Sequence, residues 1–89
     1  MEPQELELYW RVQTATIGAL RQIGIEFRLR DRIPPMVIMR KIRQFWMSPG
    51  AGESILAPAY AQAEVLLCKM VELRTRGMEP PHDRVKYLA

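Results

Sequence analysis

Apolar positions recur at helical spacing over most of this chain, and in one short stretch they alternate every second residue. Between Glu5 and Ile23, the residues Leu6, Tyr9, Trp10, Gln13, Ile17 and Leu20 share one face, widened by Val12, Thr16 and Ile23, which predicts a first helix. Pro3 suits its first turn, Glu7 and Arg11 lie four apart in the favourable order, and Gly24 is a natural left-handed stop.

The next six residues, IEFRLR at 25–30, change period. Ile25, Phe27 and Leu29 alternate with Glu26, Arg28 and Arg30, the repeat of a half-buried strand. A lone strand leaves its backbone groups unsatisfied. The pattern therefore predicts one of two things: a short two-stranded β element, pairing 25–30 with RVKYL of the C-terminal tail or with the same strand of a symmetry mate, or an extended segment whose apolar residues cap the core.

Pro34 and Pro35 close that segment and open a second helix, since proline tolerates a first turn and keeps its predecessor out of helical geometry. Ile38, Met39, Ile42, Phe45 and Trp46 fill its apolar arc, and Arg40, Lys41, Arg43 and Gln44 occupy the rest. Residues 48–52, SPGAG, form a loop. A third helix begins at Ser54 or Pro58 and runs to Arg76, with Gly77 past its end. Its arc is wide (Ile55, Leu56, Ala59, Tyr60, Ala63, Leu66, Leu67, Met70, Val71, Leu73), which makes it the central helix, and Ala59 and Ala63 allow a close neighbour. The expected fold is mainly α: a compact three-helix domain over 1–77, followed by a C-terminal arm or tail over 78–89 with a Pro-Pro break.

Charge sharpens this picture. From Arg21 to Arg43 seven basic residues stand against two acids, a local balance of +5 within a formal net charge of +3. Such a field steers anionic partners. Arginine outnumbers lysine ten to three, and its planar fork suits bidentate contact with phosphate or carboxylate. Arg28, Arg30, Arg32, Arg40, Lys41 and Arg43 are thus the candidate binding residues for a protein partner or nucleic acid. Met36 and Met47 flank the apolar arc of helix 2 and are interface candidates. Trp46 and Trp10 are candidates too, although in so small a chain each is expected first as a core anchor. Basic residues opposite Phe45 and Trp46 also match a membrane-surface helix, but the protein needs that face to close its core.

The order of basic alternating segment, short helix, glycine turn and longer helix resembles that of ribbon-helix-helix DNA-binding dimers, and Gly52, Glu53 and Ser54 resemble that family's glycine-to-serine turn. The resemblance implies Glu26, Arg28 and Arg30 facing the major groove from a strand paired across a dimer. Glu26 on that face, the two prolines before helix 2, the long helix 3 and the extra N-terminal helix depart from the pattern.

Chemistry is weakly represented. His82 is the one histidine, and neither it nor Cys68 completes a metal set with recognisable spacing. The GAGES loop lacks the lysine and preceding strand of a phosphate loop, and no nucleophile motif occurs. No cofactor and no enzyme activity are expected. Cys68 has no disulfide partner, reads as a buried small hydrophobe and fits a reducing compartment. Acids at the start of the chain are unlike a secretory signal, and no apolar run reaches the roughly 18 residues of a membrane span. A cytoplasmic protein without integral membrane association is expected. A chain of 89 residues buries only roughly 60–65 per cent of its unfolded surface, which favours association with a partner or a second copy. The expected function is a small non-enzymatic protein-interaction module (adaptor, inhibitor or assembly subunit), homo-oligomeric. The alternative is a nucleic-acid-binding regulator of ribbon-helix-helix type.

Overall fold

The computed structural model describes residues 2–79, which form three α-helices in chain order: α1 (Pro3–Gln22), α2 (Pro35–Trp46) and α3 (Ala57–Thr75). α3 is the central element, packing against both α1 and α2. Its buried positions Ala63, Leu67, Met70 and Leu73 meet Tyr9, Ile17, Ala19 and Leu20 of α1 and Ile38 and Ile42 of α2 in one core. Ala19 and Ala63 are both buried, and small side chains of this kind let helices approach closely. Thr16 is fully buried there; its hydroxyl bonds the Val12 carbonyl at 2.7 Å, the back-bond that removes a buried polar cost.

Two helices end in the same way, for the same reason. Gly24 and Gly77 adopt positive φ of 87° and 75°, a region that costs a side-chain-bearing residue but not glycine. In each case the next residue reaches back: the Ile25 N–H to the Leu20 carbonyl at 2.9 Å, and the Met78 N–H to the Leu73 carbonyl at 3.0 Å. These are Schellman closures, and Ile25 and Met78 both pack against the core, the apolar contact that accompanies the motif.

The 25–30 segment contains no strand among the described residues. Residues 25–28 have no regular secondary structure, and Leu29 and Arg30 enter a turn. Part of its backbone is satisfied by side chains, and the Ile25 N–H and Arg28 carbonyl by local backbone bonds, instead of by a ladder. The Arg21 guanidinium donates to the Phe27 carbonyl at 2.7 Å, and Gln13 Nε2 donates to the carbonyls of Leu29 and Asp31 at 3.3 and 3.4 Å. The Arg28 N–H donates to the Asp31 carboxylate at 3.2 Å. Ile25 and Phe27 cap the core while Glu26 and Arg28 face out, so the alternation serves a capping segment. The tail sequence RVKYL, the other strand considered, lies outside the described residues.

Ile33 then plugs the core with no exposed surface, one residue before the N-cap of α2. Ile33 and Ile38 occupy the positions of a hydrophobic staple around Pro34 and Pro35. After α2, a 3-10 turn over Ala51–Glu53 leads to α3, which starts at Ala57 because Ser54 is extended and Pro58 takes the second helical position. Ile55 and Leu56 are consequently not part of the helical arc but exposed ahead of it. Cys68, expected inside, is exposed: it lies one residue past buried Leu67 and so turns about 100° away from the core. Val71 is also exposed, since the covered stripe of α3 is narrower than its apolar composition.

Candidate interaction surface

The six predicted cations divide into two groups. Arg28 pairs with Asp31 at 3.3 Å, and Arg32 with Glu79 at 3.3 Å. Arg28's backbone N–H, then its side chain, hold the Asp31 carboxyl below its ordinary range. Arg30, Arg40, Lys41 and Arg43 are exposed and make no ion pair with any described residue. Three of these four lie on α2, so the free positive charge is concentrated there.

Helical geometry arranges it. Met36, Arg40, Arg43 and Met47 stand at i, i+4, i+7 and i+11, which places them in one stripe roughly 16 Å long at 1.5 Å per residue. Met36 and Met47 are 80% and 77% exposed, so two apolar ends bracket two unpaired guanidinium groups. Val37 and Lys41 widen the stripe on one side.

Trp46 departs from the core role expected of it. It is 37% exposed and rests edge-on against Phe45, with centroids 5.0 Å apart. Phe45, expected inward alongside it, is half-buried and stacks on Tyr60 of α3 with centroids 3.7 Å apart. At this corner Trp46 and Met47 end α2, and Ile55, 94% exposed, and Leu56 precede α3. Trp10 behaves differently. It is half-buried, packs against the core and meets Tyr9 edge-on at 5.2 Å, although its indole N–H is buried without an acceptor among the described residues.

A second polar cluster was not foreseen. Arg74, with its side chain 10% exposed, donates from Nη1 to the Ile33 carbonyl at 2.6 Å and from Nε to the Tyr9 hydroxyl at 3.4 Å. Glu79 lies 3.4 Å from Arg74 Nε and also accepts from the Tyr9 hydroxyl at 3.5 Å. The cluster ties α1, the segment before α2 and the end of α3 together. Burial holds the Tyr9 phenol above its ordinary value, against the opposing hydrogen bond and charge of Arg74. The sequence carried a signal for this: Leu67, Met70 and Arg74 follow the buried spacing, which puts an arginine in core phase.

Among the described residues, no group of three or more histidine, cysteine, aspartate or glutamate side chains is placed to hold a metal ion, and no helix is long and apolar enough to cross a membrane. His82 lies outside those residues. Comparison of the chain with known protein families, curated proteins and solved structures finds no match.

Proposed function

We propose that this protein is a small non-enzymatic protein-interaction module that docks its partner on the outer face of α2. The observation that carries the reading is the stripe of Met36, Arg40, Arg43 and Met47, apolar at both ends and cationic without local neutralisation in the middle. A surface of this chemistry fits an amphipathic partner segment with acids between two apolar anchors. Methionine adapts to the shape of its neighbour, and arginine forks carboxylates bidentately. Trp46, at the end of the same helix, is of the residue type most enriched at binding hot spots. Self-association belongs to this reading, because the N-cap and first turns of α1 expose Glu2, Glu5 and Leu8, an acidic and apolar segment carried by the chain itself.

Light scattering after size exclusion tests it. Wild-type protein is expected to form a defined oligomer, or a defined complex with an acidic protein partner, and Arg40→Glu/Arg43→Glu is expected to lose it while keeping the thermal midpoint. A monomer at high micromolar concentration that binds no protein contradicts the reading. Binding of a mixed-sequence DNA duplex with a steep salt dependence would move the assignment to the nucleic-acid alternative, whose salt slope falls by roughly one per phosphate contact removed.

A further inference from the structure

We propose that the groove between the first turn of α2 and the last turn of α3 binds the C-terminal carboxylate of a partner peptide whose last side chain is apolar. The groove encloses about 410 Å³, within the range of small-ligand sites, and is walled by Ile33, Pro34, Pro35 and Val71, with Arg32 and Arg74 as its charged members.

Three features point to a monoanion with an apolar body. Arg74 is nine-tenths buried, and its Nη2 has no hydrogen-bond acceptor among the described residues, whereas Nη1 is engaged by the Ile33 carbonyl. A buried guanidinium donor left without an acceptor is costly, and a carboxylate seated in the groove that Arg74 lines removes that cost by drawing the closed-off Nη2 toward it. Second, α2 starts with no side-chain cap and no acid in its first turn, so the partial positive charge of its N-terminus meets no counter-charge from its own helix. Third, two arginines face one carboxylate, that of Glu79, leaving one positive charge in excess among the described residues. One spare charge suits a carboxylate better than a phosphate dianion, and the apolar walls suit the side chain beside it. A chain terminus presents both groups on one residue, a recurrent mode of peptide capture.

The groove is distinct from the α2 stripe, and the inference stands without that reading. Titration of the ¹⁵N-labelled full chain with N-acetyl-leucine, N-acetyl-leucinamide and inorganic phosphate tests it by NMR. N-acetyl-leucine is expected to shift the Met36, Val37 and Thr75 amides and the Arg74 Nε–H. It should bind at least about tenfold more tightly than the neutral amide, the factor typical of one charge-assisted hydrogen bond. Arg32→Gln, at a half-exposed side chain, and Thr75→Glu, on the groove rim, are each expected to weaken it severalfold with the spectrum of the core unchanged. Equal binding of acid and amide, shifts confined to other sites, or phosphate binding as tight as N-acetyl-leucine at these amides would overturn the proposal.

Discussion

Tyr9 and Arg74 show what a single buried residue contributes here. The phenol is raised in pKa chiefly by burial, so the folded state holds its proton more tightly than the unfolded chain does. The associated stability is fully present below the ordinary tyrosine value of about 10 and is lost as pH rises through the folded value. Tyr9→Phe is expected to cost about 0.5–1.5 kcal/mol at neutral pH, the worth of an ordinary hydrogen bond, and to remove the Tyr9 share of the alkaline loss. Urea titrations at pH 7 and above pH 10 check both parts; an unchanged alkaline slope would place the phenol outside the cluster. At this scale the sequence was readable only in part. The helical phase marked Tyr9, Gln13 and Leu67 as inward; Arg74 shares that phase but was passed over, because an arginine at a core position reveals its purpose only once Ile33 and Glu79 are seen beside it. Cys68 misled for the opposite reason: its residue type suggests burial, and its phase on α3, one step from Leu67, decides against it.

Gly24 and Gly18 make opposite demands within the end and the body of α1. Gly24 closes the helix at φ 87°, and an added Cβ meets no atom within 4 Å, so the cost of Gly24→Ala is backbone alone, about 1–2 kcal/mol. Gly18 sits inside the helix with the same open surroundings, so Gly18→Ala is expected to stabilise by about 0.5–1 kcal/mol. Thermal melts of the two variants should move in opposite directions; a shared direction would contradict the assigned helix end. Boundaries of this kind were legible because glycine and proline carry backbone preferences in their own covalent structure. The 25–30 segment was less so. Its two-residue alternation is shared by strands and by extended chain lying on a core. The choice was made by Arg21, Gln13 and Asp31, whose side chains satisfy backbone groups that a strand would have given to a neighbour.

Across the whole molecule, folding redistributes the charge that the sequence concentrates between Arg21 and Arg43. Arg21 pairs with Glu26, Arg28 with Asp31 and Arg32 with Glu79, which leaves α2 and Arg30 as the free cationic surface. The first two pairings join near neighbours in sequence, whereas that of Arg32 with Glu79 spans most of the domain and depends on the fold. The α2 stripe, in turn, was half visible: Met36, Met47 and the cations were recognisable singly, and their alignment on one face follows from the helix that Pro35 opens. The most direct measurement is site-specific photo-crosslinking in native cell extract, with benzoylphenylalanine at exposed Gln44 of α2 and, as control, at exposed Gln62 of α3. The account predicts a protein adduct, either an acidic partner or a second copy of this chain, from position 44 and not from 62, lost on Arg40→Glu/Arg43→Glu. Equal adducts from both positions, or nucleic acid as the species captured at 44, would contradict it.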